Sequence, residues 1–471
     1  MLGAHWRRNP ELTAEFVISG IWWLPGREGT KLPGTLAVKG GSDISVELFG
    51  SFDEMPAVGP DSLRKYPIVL GLSDKGELCT LFDTTLTSIG SRPSDDFPPL
   101  IKVFANRFYL GKHFPTPSDI HFRSMRVRFT NLVRWLGQSP FLRSELLTGS
   151  SPKMGVSYTE RLVFQVNVPE RSVKFSIWSI VSSMTKGLER LSADHEVEVH
   201  ITPSTPSSFE QFYEFIFDTR NLFALIIGSP VYAKMMVGLG DDVELAPGFK
   251  TPEDIGIYFN FSPWPYTDVR LVDIPVPFRN IDGRAEQVFS GWYSNARNLR
   301  LVCELFFGAQ YNSEMYVESK FLSYSQALEI FHRVMARQEC YVPREEYRNY
   351  RQAVERAIPE TAPDRLKEKL RTAIDFANDF SLRERLEDLI GELHPTTQNR
   401  ISEDLKSFTK AVVATRNYLT HGGSQSKANA FSGPSEFAVA NQKLQAILSI
   451  SLLKMLGIPE LQVAAAVFRN R

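Results

Sequence analysis

The sequence predicts an α+β protein of more than one domain, with a β-rich N-terminal region, antiparallel sandwich or barrel-like, followed by an all-α helical bundle. Three observations carry this. At 471 residues the chain is too long for one ordinary core. Between about residues 12 and 205 the apolar runs are short and bounded by Gly, Pro or Asp, as in antiparallel sheets. From Glu286 onward strand signals vanish and apolar residues recur at helical period.

Composition narrows the function class. Hydrophobic residues make up 43% and charged residues 23%, which is the balance of a chain that buries cores rather than one dominated by disorder. A net charge of -1 argues against a chain coated by nucleic acid, since a large phosphate footprint needs many uncompensated cations; any nucleic-acid contact is expected to be local. Cys79, Cys303 and Cys340 are far apart and odd in number, which suits a reducing compartment and neither a disulfide framework nor a Cys-rich metal site. His113 and His121 lack cysteine or carboxylate neighbours at ligand spacing, so no metal and no cofactor is expected. Met1-Leu-Gly-Ala-His-Trp-Arg-Arg has no apolar signal run, and the stretches Phe223 to Gly240 and Leu444 to Gly457 are interrupted or too short to span a membrane. The expectation is a cytoplasmic protein.

Strands are read in order at Phe16 to Trp23, Gly34 to Val38 and Ile44 to Phe49, with Gly40-Gly41 as a hairpin turn between the second and third. Others start at Ile68, Leu78, Ile101, Met125, Leu162 and Val197. Trp22, Trp23 and Trp135 either pack the core, as aromatics do in small sheets, or form a stacking surface for bases. After Pro203 and Pro206, Ser208 to Gly228 reads as a helix and Asp254 to Phe261 as a strand, with irregular chain marked by Pro263, Pro265, Pro275 and Pro277. The expected division is 1–205, 206–284 as an extension or middle subdomain, and 285–471. In the last part, helices are expected over Glu286 to Gly308, Glu314 to Gln338, Asp364 to Asn378, Ser381 to Ile390, Ser402 to His421 and Ser435 to Leu456. Ser381 and Glu384 have capping-box spacing. Short loops between such helices favour an antiparallel bundle.

The helix ending at His421 holds the candidate chemistry. Leu405, Phe408, Val412 and Leu419 form its apolar stripe, and Gly422-Gly423 stops it. Asn417 and His421 fall one turn apart on one face, and Arg416 is rotated by roughly 140° from His421 but carries a long planar fork. Such a set suits phosphodiester cleavage, because histidine moves protons near neutral pH while arginine stabilises phosphoryl charge. The alternative is that Arg416 and His421 merely satisfy the C-terminal carbonyls of their helix. Arg107…His113 and Arg190…His195 share the loose spacing, but one crosses a glycine in a strand-like region and the other falls at a helix-to-strand junction.

Arg416-Asn-Tyr-Leu-Thr-His421 resembles the R-x(4–6)-H motif of HEPN domains, many of which are metal-independent ribonucleases. Gly20-Ile-Trp-Trp-Leu-Pro with Gly34-Thr-Leu and Glu47-Leu-Phe-Gly, then Pro67-Ile-Val-Leu-Gly with Gly76-Glu-Leu-Cys-Thr-Leu, and Phe122 with Asn131-Leu-Val-Arg-Trp-Leu136, are similar to the N-terminal domain of ApeA-like proteins. That resemblance implies a bacterial anti-phage (abortive infection) ribonuclease with catalytic Arg416, Asn417 and His421 and no cofactor. RNA, either transfer RNA or messenger RNA, would be the substrate. Further implications are a homodimer through the HEPN domain, a phage-derived trigger, and an N-terminal region that senses, recruits or restrains. Tyr418, Lys406, Lys410 and Lys427 are the candidate substrate-binding residues, with ordinary surface lysines as the alternative. The competing functional reading is a non-catalytic HEPN module that binds RNA or a partner.

Overall fold

The computed structural model describes residues 9–53, 64–89, 97–148, 151–186, 191–261, 268–335, 340–422 and 427–469. Met1 to Arg8, Arg190, Pro263, Pro265, Gln338 and Gly423, named above, lie outside these. The chain divides into two compact units. One comprises Met1–Arg220, Val231–Leu271 and Phe278–Ser290; the other comprises Asn221–Pro230, Val272–Pro277 and Gly291–Arg471.

The first unit begins with β1 (Glu15–Trp23), β2 (Leu32–Lys39), β3 (Asp43–Phe49), β4 (Lys65–Ser73), β5 (Leu78–Ile89) and β6 (Leu100–Leu110). These pair in the order β6-β3-β2-β1-β4-β5, and β5 returns to β6, so the six strands close into a barrel. Of the two expected architectures, the barrel is the one adopted. Its interior is lined by the inward half of each strand's alternation, including Leu36, Val38, Val46, Leu48, Val69, Leu81 and Val103, all buried. Trp22 is fully buried, with Nε1 donating to Gly34 O at 3.3 Å. A Cβ at position 71 would stand 2.4 Å from the Trp22 ring, so only glycine fits there.

Strand β6 serves two sheets. Its first half, Leu100 to Phe104, pairs with β3, while Arg107 to Leu110 pairs with the last strand of the unit. The chain reaches that strand through β7 (His121–Phe122), β8 (Ser124–Phe129), α1 (Leu132–Leu136), β9 (Phe141–Thr148), β10 (Ser151–Tyr158), β11 (Arg161–Val168), β12 (Val173–Lys186), β13 (Leu191–Pro203), β14 (Ser207–Ser208), α2 (Phe209–Ile227), β15 (Ala233–Ala246) and β16 (Phe249–Phe259). The second sheet runs β16-β15-β8-β13-β12-β11, and its pairings are antiparallel. Aromatic residues of α2 lie on it, with Phe215 against Phe175 and Phe209 against Phe259, ring centroids 6.1 and 5.8 Å apart. The 206–284 segment thus contributes α2 and two strands of the continuous sheet.

Among the described residues of this unit, the buried charged side chains Arg126, Glu198 and Asp218 are each ion-paired, with Asp254, Arg128 and Arg171. Arg128 donates twice to Glu198, at 2.9 and 2.7 Å, and His200 Nε2 lies 3.1 Å from the other carboxylate oxygen. Burial alone would raise the Glu198 pKa, but the His200 contact and the Arg128 and Arg126 charges outweigh it and leave the group at about 2. Trp23 and Trp135 are also buried, so the three tryptophans pack cores and form no stacking surface.

The second unit contains α3 (Ala285–Asn295) in part, then α4 (Arg300–Tyr311), α5 (Val317–Met335), α6 (Arg344–Arg356), α7 (Asp364–Phe376), α8 (Leu382–Gly391), α9 (Pro395–Ile401), α10 (Leu405–His421), α11 (Pro434–Met455) and α12 (Glu460–Arg469). The single helix expected over 286–308 is two, because Asn295 turns its side-chain amide back to Gly291 O at 2.8 Å and the chain breaks before Leu299. Helices α6, α9 and α12 were not expected. The capping box at Ser381 and Glu384 is formed as the spacing predicts. Helix α11 is apolar almost all round, with Leu444, Ile447, Leu448, Ile450, Leu452 and Leu453 buried, which makes it the central helix of the bundle. Among the described residues, no helix is long and apolar enough to cross a membrane.

Candidate active site on the Leu405–His421 helix

Helix α10 starts at Asp404, whose carboxylate accepts from Ser407 N at 2.9 Å and from Ser407 Oγ at 2.7 Å. It ends at Gly422, in the left-handed conformation (φ 69°) with its N–H on Tyr418 O at 2.8 Å. Phe408, Thr409, Val412 and Thr415 are buried, against α5 and α8, while Leu405 and Leu419 are only half-buried. The inward stripe therefore includes two threonines that an apolar pattern does not mark. Thr409 Oγ1 meets Glu387 Oε1 at 3.3 Å, and Thr415 Oγ1 donates to Ala411 O at 2.8 Å.

The last turn and a half of α10 carries Arg416, Asn417, Tyr418 and His421 together. Arg416 Nη1 donates to Asn417 Oδ1 at 3.2 Å, and Nη2 lies 3.7 Å from Glu329 Oε2 on α5. Arg416, Asn417 and Tyr418 are half-buried and His421 is exposed. Thr420 Oγ1 donates to Arg416 O at 2.8 Å, an i to i−4 side-chain bond in the last turn. The cluster presents a fork-shaped cation, an amide and an imidazole at a helix end that faces solvent. That set can bind an anionic oxygen and move a proton beside it.

The other candidates are more scattered. Lys410 and Lys406 are exposed, but six and ten residues before Arg416 they lie about 9 and 15 Å down the helix axis. Lys427 is exposed beyond the end of α10. Glu329 escaped sequence reasoning: its Glu329-to-Arg333 spacing reads as an ordinary surface pair, and its contact with α10 is tertiary.

Of the two look-alike pairs, Arg107, His113 and His195 are engaged elsewhere, and Arg190 lies outside the described residues. Arg107 is bound to Glu210 at 2.6 Å and lies over the Phe209 ring, while His113 Nε2 is 2.8 Å from Gly71 O. His195 Nε2 is 2.9 Å from Ser179 Oγ, with its pKa lowered by burial and then by Arg161. The element before His195 is strand β12 rather than the expected helix, since β12 and β13 pair along their length. Among the described residues, no group of three or more His, Cys, Asp or Glu side chains is arranged to hold a metal ion.

Residues 17–292 match the family described as ApeA N-terminal domain 1, and residues 322–462 match the family described as Apea-like HEPN. The second match includes Glu329, Arg416, Asn417 and His421. No curated protein and no solved structure matches the chain.

Proposed function

Because this chain belongs to the ApeA-like proteins, with a C-terminal HEPN domain, we propose that it is a metal-independent endoribonuclease of bacterial anti-phage defence. HEPN families are typically ribonucleases. The observation that carries the reading to particular residues is the Arg416, Asn417 and His421 cluster at the solvent-facing end of α10, inside the HEPN match.

In this mechanism His421 takes the proton of the ribose 2′-hydroxyl, or gives one to the departing 5′-oxygen. Arg416 binds the scissile phosphate and stabilises the charge that gathers on its oxygens. Asn417 fixes the Arg416 fork through Nη1. In-line attack by the 2′-oxygen breaks the P–O5′ bond and leaves a 2′,3′-cyclic phosphate and a 5′-hydroxyl. DNA has no such nucleophile and is not cut.

One imidazole cannot serve as base and acid in the same step, so two copies related by a two-fold axis each supply one. Tyr418 stacks on a base beside the scissile bond, and Lys410, Lys406 and Lys427 extend the phosphate rim. The N-terminal part, with 206–284 as its elaboration, senses a phage-derived trigger or restrains the nuclease in the cytoplasm. The test incubates wild type, Arg416→Ala and His421→Ala with total RNA and chelator, and maps the ends. Cleavage by wild type alone, with cyclic-phosphate ends, is the expected result; equal cleavage by all three overturns it. RNA binding without cleavage, with or without activator, assigns the non-catalytic module instead.

A further inference from the structure

Arg416 already holds an anion. Glu329 Oε2 stands 3.7 Å from its Nη2, and the other oxygen of the same carboxylate accepts from Arg333 Nη2 at 3.1 Å. One acid on α5 therefore lies between two guanidinium groups, one from α10 and one from the next turn of its own helix. Both cations reach solvent, with side chains 38% and 49% exposed, while Glu329 is more covered at 19%. An anion arriving from solution meets the arginines before it meets the carboxylate.

The grip is loose, and that separates this pair from the structural ones. Arg128 closes two hydrogen bonds on Glu198 at 2.9 and 2.7 Å, with the acid 2% exposed. A pair like that is costly to break. The Arg416 contact is beyond hydrogen-bond length and half-open to water, so separating it costs little. Meanwhile Arg416 Nη1 stays on Asn417 Oδ1, which keeps the fork oriented while Nη2 changes partner.

We infer that Glu329 is a resident anion in a phosphate seat, exchanged for an RNA backbone phosphate that Arg416 and Arg333 then hold together. Arg333 is thereby a second phosphate-binding residue, on a different helix from the motif. The inference rests on the ribonuclease reading for the identity of the anion as RNA. The exchange itself rests on the geometry of three side chains.

The test measures binding of a fully 2′-O-methylated oligonucleotide, which has no free 2′-hydroxyl to react, to the full chain by fluorescence anisotropy across a salt series. Glu329→Gln and Glu329→Ala are expected to bind about two- to fivefold tighter, the range of an exposed ion pair. Arg333→Gln is expected to bind more weakly, with a log–log salt slope shallower by about 0.7, as loss of one phosphate contact on a single strand requires. Thermal unfolding of each variant confirms that it is folded. Glu329 variants that bind no tighter, or an Arg333→Gln protein with unchanged affinity and slope, overturn the exchange, as does a wild type that binds no oligonucleotide. Cleavage of the unmodified strand is scored separately. Shifted binding without wild-type cleavage upholds the exchange and removes the ribonuclease reading, while cleavage with unshifted binding does the reverse.

Discussion

Thr415 Oγ1 accepts the backbone N–H of Phe431 at 2.9 Å, so the chain that leaves α10 at Gly422 is brought back onto the residue just before Arg416. Phe431 in turn lies against Phe321 and Phe437, with ring centroids 5.9 and 6.3 Å away. Thr415 is fully buried, and its hydroxyl both donates and accepts. Thr415→Val keeps the volume and leaves the Phe431 N–H without that acceptor, so a loss of about 1–3 kcal/mol is expected. Thr415→Ser should retain most of the stability. Urea unfolding of the two variants separates them.

Gly422 ends the helix with φ 69°, a conformation that a side chain strains. Gly422→Ala should cost about 1–2 kcal/mol, and Gly422→Asn less, since asparagine tolerates the left-handed region. Because His421 precedes the cap directly, under the proposed function the alanine variant should also lose RNA cleavage beyond its loss of folded protein. Single-turnover cleavage at a temperature where both variants are folded checks this.

Glu198 makes a pH prediction with a definite sign. Its folded pKa of about 2 lies below the ordinary glutamate value of 4.5, so its stabilisation is fully present above about pH 4.5 and is lost as pH falls toward 2. The shift corresponds to roughly 3 kcal/mol. Glu198→Gln should be less stable at pH 7 and show a flatter decline between pH 4.5 and 2. Chemical denaturation across that window reads both effects.

His332 is buried between Arg385 and Asp388, with Arg385 Nη1 3.1 Å from Nδ1 and Asp388 Oδ2 3.2 Å from Nε2. Arginine only donates, so Nδ1 must be bare and the proton sits on Nε2, which donates to Asp388. Nitrogen chemical shifts of His332 should report that tautomer. Arg385, also buried, donates Nε to Phe380 O at 3.0 Å. Arg385→Ala leaves the Phe380 carbonyl and His332 Nδ1 without that donor, so a loss of about 1–3 kcal/mol is expected, read by urea unfolding.

Position 71 tests the barrel interior. Gly71→Ala pushes a methyl into the Trp22 ring, and a loss of about 1–3 kcal/mol is expected from overpacking. Near-ultraviolet circular dichroism and fluorescence of the tryptophans should shift with it.

Local signals made much of this architecture legible. Gly422, the Ser381 and Glu384 box and the stop-and-start of short strands are each encoded within a few residues, and each is formed. The features that were not legible depend on distant partners. Barrel closure requires 101–110 to find 79–89 on one side while 100–104 finds 45–49 on the other, and the join to the second sheet requires 107–110 to find 256–259; no local pattern reveals these pairings. The β15 strand was hidden in the apolar run from Phe223 to Gly240, where α2 ends and a sheet strand begins. Helix α6 carries only Tyr347, Tyr350, Ala353 and Val354 among polar and charged residues, a stripe too sparse to mark it. Glu329 reads as a surface partner of Arg333 until α10 is laid beside it.

The shared edge of β6 makes the two halves of the sheet inseparable by simple truncation. A fragment ending at Leu110 would keep all six barrel strands, yet it would bare the backbone N–H and C=O groups of Arg107 to Leu110 that β16 covers. Such a fragment carries an adhesive border and should self-associate. The barrel and the second sheet are therefore expected to melt in one transition, so damage to either is felt as loss of both.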